Sequence, residues 1–135
     1  MDRIVVIMVK KIYICYKTGG KNMRNIISNN RRNRNGLKIG YWEEYFSNGK
    51  LKSRGSYVNG KWDGYWEWYW DNGNLSTKSS YVNGVRYGYW EEYYSNGNLC
   101  SKGSYINGFE DGYWEHYYTT GKLWYDGYYK EGVRI

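Results

Sequence analysis

The sequence predicts an all-β protein, an elongated antiparallel meander of tandem β-hairpin repeats that forms a single-sheet, solenoid-like array. The first observation behind this prediction is a motif, Gly-Tyr-Trp-Glu, which returns every 24 residues. Its four copies begin at Gly40, Gly64, Gly88 and Gly112. The second observation is the composition, because the 135 residues include 19 Tyr, 8 Trp and 18 Gly but no Pro. Such a composition suits half-buried strands joined by tight turns, and a fixed period is the signature of a repeat architecture.

Each 24-residue unit predicts two strands and two tight turns. In the first unit, the strands run over Tyr41–Phe46 and Leu51–Val58. Asn48-Gly49 lies between them and predicts a turn, since both residue types tolerate positive φ. A second turn over Asn59–Gly64 leads into the next unit. Loops this short join antiparallel neighbours, so the product is a series of consecutive hairpins.

Alternation along the second strand separates a packed face from a solvated face. The packed face carries Leu51, Ser53, Gly55 and Tyr57 in the first unit, and its third position is Gly or Ser in every unit. A small residue there leaves room for a ring to cross the strand, and we expect that ring to be the repeat Trp or a first-strand Tyr. The predicted structural core has one Trp, one Leu and one Tyr per repeat. These residues are Trp42, Trp66, Trp90, Trp114, Leu51, Leu75, Leu99, Leu123, Tyr57, Tyr81, Tyr105 and Tyr129.

The first strand is aromatic on both faces, and one position within it varies between repeats. A variable site flanked by rings indicates an accessible face that carries a ladder of aromatic side chains. The candidate binding surface combines this site with aromatic residues near it. It comprises Glu44, Trp68, Trp70, Glu92, Tyr94, His116 and Tyr118.

Residues 1–35 do not follow the period and form a basic N-terminal segment, whereas residues 36–135 hold the four repeats. Residues 1–40 contain ten Lys and Arg but one acid, and residues 41–135 contain ten Lys and Arg and twelve acids. We expect Ile4–Cys15 to contribute to a degenerate hairpin that caps the first sheet edge, followed by a flexible connection over Asn22–Asn35. The densest basic cluster is the candidate basic patch. It comprises Arg31, Arg32, Arg34 and Lys38.

The residues that catalysis or metal binding needs are sparse in this sequence. There is one histidine, His116, and repeat logic predicts a surface position for it. Cys15 and Cys100 lie far apart, without metal-like spacing, and reduced thiols are expected. The Glu that recurs in every unit, as at Glu43, is predicted to accept a hydrogen bond from a Tyr hydroxyl or a turn N–H. The sequence therefore predicts no enzyme, no metal, no cofactor and no small-molecule substrate.

The pattern Gly-Tyr-Trp-Glu-x-Tyr, Asn-Gly-x-Leu, Gly-x-Tyr, x-Asn-Gly resembles the MORN-repeat variant over about Asn35–Arg134. This variant occurs in bacterial proteins labelled as YwqK-like antitoxin components and in open reading frames of large viruses. The resemblance implies strings of β-hairpins in an elongated sheet. It also implies roles in protein association and, for some MORN proteins, contact with phosphoinositide-rich membranes.

Three functions remain open at this point. The leading hypothesis is a protein-interaction module, scaffold or antitoxin-like, because a repeat sheet offers a pre-ordered surface and Tyr and Trp are favoured interface anchors. The second is binding of anionic lipid or nucleic acid through the basic segment. The third is recognition of a glycan or choline by aromatic side chains. No secretory signal is evident, so an intracellular, cytoplasmic location is expected, with membrane association as an alternative.

Overall fold

The computed structural model describes residues 3–8, 11–16 and 30–135, and over these residues the protein consists of strands and turns without a helix. The strands are β1 Arg3–Met8, β2 Lys11–Tyr16, β3 Arg31–Arg32, β4 Lys38–Tyr45, β5 Leu51–Val58, β6 Lys61–Tyr69, β7 Leu75–Val82, β8 Val85–Arg86, β9 Gly88–Tyr93, β10 Leu99–Ile106, β11 Phe109–Glu110, β12 Gly112–Tyr117, β13 Leu123–Lys130 and β14 Val133–Arg134. The predicted all-β repeat array is confirmed.

Strands β3 to β14 form one antiparallel sheet in which consecutive long strands pair, while the short strands β8 and β11 pair with β7 and β10. Strands β1 and β2 pair with each other in a separate two-stranded sheet. These two strands cover most of Ile4–Cys15, and the predicted capping hairpin to which this segment contributes stays a prediction. Of the connection predicted to be flexible, residues 22–29 lie outside the described residues. Residues 30–35 contain β3, which pairs with β4, and the start of a turn.

The turn that links one repeat to the next has two residues and is shorter than predicted. Asn59 and Gly60 both have positive φ, 48° and 78°, and β6 already begins at Lys61. This is the backbone of a type I′ hairpin turn, whose twist matches that of the flanking strands. The predicted turn over Asn59–Gly64 is thus wrong in its second half. Gly64, with φ 81°, instead lies in β6 where the register with β5 shifts.

The turn inside each repeat has a different structure, although it also contains Asn-Gly. Gly49 has a φ of 83°, but Asn48 does not have positive φ. The loop closes through two hydrogen bonds, from Phe46 N to Lys50 O at 2.8 Å and from Gly49 N to Phe46 O at 2.9 Å. The Asn48 side chain accepts a hydrogen bond from Lys50 N at 2.9 Å. Asn is therefore used here for its amide group, as in an Asx turn, and not for backbone freedom.

The register assigns the four repeat Trp residues to one face of the sheet, here called the Trp face. Trp42 lies opposite Gly55, so both residues belong to this face. The ring of Trp66, from the following repeat, crosses the same glycine, and a Cβ built on Gly55 would lie 2.2 Å from it. Gly103 has the same relation to Trp114. The prediction that a repeat Trp crosses the small site is confirmed, and it explains how a single layer buries these rings.

The predicted core residues are mostly buried or half-buried, with one exception. Exposed fractions are 7% for Trp42, 2% for Trp66, 9% for Trp90 and 1% for Trp114. The predicted Tyr residues are buried or half-buried, and so are three of the Leu residues. The exception is Leu123, which is 44% exposed. It lies in β13, where no further long strand covers it, so its assignment to the core is corrected.

Candidate binding surface

The four variable positions lie in one row on the Trp face, here called the variable row: Glu44, Trp68, Glu92 and His116. Cross-strand register connects them through one small residue each time. The pairs are Glu44 with Ser53, Ser53 with Trp68, Trp68 with Thr77, Thr77 with Glu92, Glu92 with Ser101, Ser101 with His116 and His116 with Tyr125. Large side chains therefore recur at every second strand, about 10 Å apart.

In the first two repeats, the variable residue interacts with the residue six positions earlier, at a position that also differs between repeats. In the first repeat, Lys38 Nζ forms an ion pair with Glu44 at 2.6 Å. In the second, the rings of Trp62 and Trp68 meet edge to face at 5.4 Å. Sequence reasoning missed this relationship, although the variation at positions 38, 62, 86 and 110 was a visible signal.

A cation covers the Trp–Tyr pair of the first and third repeats. Lys38 Nζ lies 4.5 Å from the ring centroid of Trp42, and the guanidinium of Arg86 lies 4.6 Å from that of Trp90. Both also approach the repeat Tyr, which gives two cation–π contacts per cation. The hydrogen bond to Glu44 raises the pKa of Lys38 despite partial burial. Lys38 therefore belongs to the Trp face, and its assignment to an accessible basic patch is corrected.

The second repeat replaces this cation with an aromatic cluster of Trp62, Trp66, Trp68 and Tyr81. Trp62 contacts Tyr81 at 5.0 Å, and Trp66 and Trp68 stack at 5.4 Å with an angle of 23°. Trp66 and Tyr81 are buried, but Trp62 remains 37% exposed. The cluster therefore presents an ordered apolar surface in the middle of the array.

His116 is half-buried in a stack of rings, which corrects the predicted surface position. Its ring lies 4.4 Å from that of Tyr125 at 15° and 5.9 Å from that of Trp114. Nε2 is buried without a hydrogen-bond partner among the described residues. Burial lowers the pKa of His116, although the carboxylates of Glu110 and Glu92 oppose the shift. The imidazole thus extends the aromatic ladder and lacks the oriented partner that general-base catalysis requires.

Three residues of the predicted binding surface lie outside the variable row, at the loop edge of the sheet. Trp70 Nε1 donates to Tyr93 O at 3.0 Å, and the Tyr94 hydroxyl donates to Tyr117 O at 2.8 Å. These hydrogen bonds join consecutive repeats, so Trp70 and Tyr94 have a structural role, and their role in binding stays a prediction. Tyr118, in the last repeat, contacts Trp124 and is 48% exposed.

The remaining basic residues lie at the start of the array. Arg31 and Arg32 are exposed in β3, and Arg34 is exposed in the turn that follows. Arg32 donates to Gly36 O at 2.7 Å and lies 5.4 Å from the ring centroid of Trp42. The exposed part of the predicted basic patch is thus a group of three arginines.

The opposite side of the sheet, here called the Tyr face, carries the recurring glutamates. Tyr41 and Tyr45 donate to Glu43, at 3.1 Å and 2.5 Å, which confirms the predicted role of this acid. Glu67 accepts hydrogen bonds from two Tyr hydroxyls in the same way and also pairs with Arg54 of the preceding repeat. Burial alone would raise the pKa of Glu67, but the hydrogen bonds outweigh it and the pKa is lowered. These carboxylates therefore hold strands and repeats together.

Within the described residues, no cluster of three or more His, Cys, Asp or Glu side chains could hold a metal ion. The same part of the chain contains no helix with the length and apolar character needed to cross a bilayer.

Comparison with known protein families matches four consecutive MORN repeat variants, at residues 38–59, 62–83, 86–107 and 110–131. The chain belongs to the MORN repeat variant family. No match was found among curated proteins. MORN repeats are generally non-catalytic and are generally associated with protein or membrane binding. Each matched MORN repeat begins two residues before Gly-Tyr-Trp-Glu and ends at the Asn or Glu of the type I′ turn, so the matched unit corresponds to one structural hairpin.

Proposed function

We propose that this MORN repeat array is a non-catalytic module that binds another protein along the variable row of the Trp face. The observation that carries the proposal is the contrast within this face. The neighbouring row holds Trp in all four repeats, whereas the variable row holds an acid, an indole, an acid and an imidazole. Equivalent positions of a repeat have equivalent structural demands. Differences among them therefore favour recognition over folding.

The aromatic cluster of the second repeat is the expected anchor of the interaction. Trp and Tyr dominate the residues that contribute most to protein interfaces, because they bury a large area with few rotatable bonds. The rings of Trp62 and Trp68 are already held by their neighbours. Ordering on binding therefore costs little. Glu92 lies two strands from Trp68 and has no ion-pair partner in residues 30–135, so it is available to orient a partner.

A test follows from the first repeat, where an ion pair occupies the positions that Trp62 and Trp68 occupy in the second repeat. The double substitution Trp62→Lys and Trp68→Glu would reproduce the Lys38–Glu44 ion pair in the second repeat. We expect this variant to fold but to lose proteins that the wild-type chain captures from its native host. Thr119→Glu, at the exposed loop edge, is the control and should capture the same proteins as the wild type. Undiminished capture by the double variant would refute the proposal.

A second candidate function is binding of an anionic surface, either lipid or nucleic acid, and exposed Arg31, Arg32 and Arg34 favour it. Contacts to phosphates release counterions, so such binding weakens steeply with salt. Vesicles with phosphatidylserine and single-stranded oligonucleotides are suitable probes. Binding that persists at several hundred millimolar salt, or that survives Arg31→Glu with Arg34→Glu, would argue against this function.

A further inference from the structure

The Tyr face exposes a patch of apolar side chains in its second and third repeats. The patch, here called the Tyr-face patch, consists of six side chains that are 46–57% exposed. They are Tyr65, Val82, Val85, Tyr89, Ile106 and Phe109. Val82 lies opposite Val85, and Ile106 opposite Phe109, so these two apolar pairs line the type I′ turn edge beside the Tyr residues. Contiguous exposed apolar surface of this kind marks an interaction site.

The polar atoms around this patch already have partners within the chain. The hydroxyl of Tyr65 donates to Glu67 at 2.9 Å, and that of Tyr89 donates to Glu91 at 3.1 Å. Glu91 also forms an ion pair with Lys78 at 3.2 Å. Covering the face would therefore leave few donors or charges unsatisfied, and unsatisfied groups are the main cost of burying polar surface.

The surface alternates large and small side chains with a fixed spacing. Tyr65 lies opposite Ser80, and Tyr89 lies opposite Ser104. The exposed rings therefore recur at every second strand, about 10 Å apart, with a serine between them. A partner that packs closely over several repeats needs the same period, and a second copy of the chain has it by construction.

We propose that two copies of this chain associate through their Tyr faces, with the rings of one copy packed over the serine positions of the other. A two-fold axis makes such a contact self-complementary, as in most homodimers. The face consists of eight long strands spaced about 4.8 Å apart, and each strand contributes about 17 Å of length. The area of the face is therefore roughly 650 Å² in each copy. This approaches the roughly 800 Å² per partner of a standard interface. The ion pairs Arg54–Glu67, Lys78–Glu91 and Lys102–Glu115 neutralise the central charges, so the two faces do not repel each other.

Pairing through the Tyr face would supply the second layer that residues 30–135 lack, since stable sheets normally bury one face against another element. The two Trp faces would then point outward on opposite sides. This inference concerns a different surface from the proposed function and does not depend on it.

Sedimentation equilibrium of the full chain between about 1 and 100 µM tests the proposal, because this range detects a dimer with a micromolar Kd. Wild-type chain should approach twice the monomer mass of 16.2 kDa at the upper end. The double substitution Val82→Glu and Ile106→Glu places like charges in the contact and should leave a monomer. The control, Ser95→Glu with Thr119→Glu, adds the same charge at the opposite loop edge and should remain dimeric.

Two results would overturn the proposal: a monomeric wild type at 100 µM, or a dimer that persists in the Val82→Glu and Ile106→Glu variant. Circular dichroism shows whether that variant folds. Val85→Lys, in the exposed strand β8, provides a second variant if it does not. Val85→Lys should weaken association at least about tenfold, because it removes an apolar contact from the interface. Unchanged association would also refute the proposal.

Discussion

The indole of Trp66 lies directly over the backbone of Gly55, and a Cβ on that glycine would come within 2.2 Å of ring atom Cδ2. Trp66 also donates from Nε1 to Ser56 O at 3.0 Å, which holds the ring in this position. Because Trp66 belongs to the repeat after Gly55, the contact joins two repeats. It repeats at Gly103 and Trp114, where it joins the third and fourth repeats.

Gly55→Ala is predicted to destabilise the array, because the added methyl group forces the buried ring away from the strand. Overpacking of this kind costs about 1–3 kcal/mol. Urea unfolding followed by Trp fluorescence measures the loss. The control is Ser79→Ala at the equivalent position of the next repeat, where the hydroxyl is buried without a partner among the described residues. Removing it should leave stability unchanged or increase it, and equal losses in both variants would contradict this explanation.

Glu67→Gln is predicted to lower the free energy of unfolding by about 1–3 kcal/mol, the cost of disrupting a buried, charged hydrogen-bond network. Glu67 is 9% exposed and holds Tyr65, Tyr69 and Arg54. Glu92→Gln is the control, since that side chain is exposed and should change stability by less than about 0.5 kcal/mol. Denaturant unfolding of both variants decides the comparison.

Glu67 and Glu91 predict how the stability of the folded protein falls at acidic pH. Burial raises the pKa of Glu67 and Glu91, but hydrogen bonds from Tyr and basic side chains outweigh it, and both pKa values are lowered. A lowered pKa in the folded state contributes stability that is present above the unfolded pKa, about 4.3, and is lost as pH falls through the folded value. Unfolding should therefore become easier below about pH 4.5. Glu67→Gln with Glu91→Gln should flatten this dependence, and an unaltered slope would contradict it.

Alkaline titration tests the same hydrogen bonds through the Tyr hydroxyls that donate them. Burial, together with the adjacent Glu67, raises the pKa of Tyr69 to about 12. A raised Tyr pKa contributes stability that is complete below the unfolded value, about 10, and lost as pH rises toward the folded value. Absorbance near 295 nm should show a group of Tyr residues that ionise well above pH 10. Glu67→Gln should move Tyr69 back toward pH 10, whereas Glu92→Gln should not.

Glycine substitutions distinguish the two kinds of Asn-Gly turn. Asn83 has φ 52° and uses its backbone freedom, so Asn83→Gly should be tolerated. Asn72 donates from Nδ2 to Ser95 O at 2.7 Å and accepts from Asn74 N at 2.8 Å through Oδ1. Asn72→Gly should therefore cost about 1–2 kcal/mol for the two lost hydrogen bonds. Thermal unfolding of both variants would reveal the asymmetry, and equal effects would show that the side-chain bonds are unimportant.

Sequence reasoning succeeded where a contact repeats with the period. The 24-residue interval predicted the hairpins, the small residue at Gly55 predicted a ring across the strand, and the recurring Glu43 predicted Tyr hydroxyl partners. It failed where two identical dipeptides differ in geometry, because Asn-Gly satisfies both a type I′ turn and a loop closed by the Asn side chain. It also did not predict the hydrogen bonds of Trp70 and Tyr94, because their acceptors are main-chain carbonyl groups in the next repeat, which leave no trace in residue type.

The sequence by itself determined that this protein is a β-hairpin array with Trp as its repeating core, since period, strand alternation and turn residues are local properties. Tertiary structure alone decided which side chains are available for binding. Lys38 lies on Trp42, His116 lies in a ring stack, and the exposed rings of Tyr65 and Tyr89 lie on the face opposite the predicted surface. The physical reason is that exposure depends on the neighbouring repeat and on register shifts such as that near Gly64, which residue types do not specify.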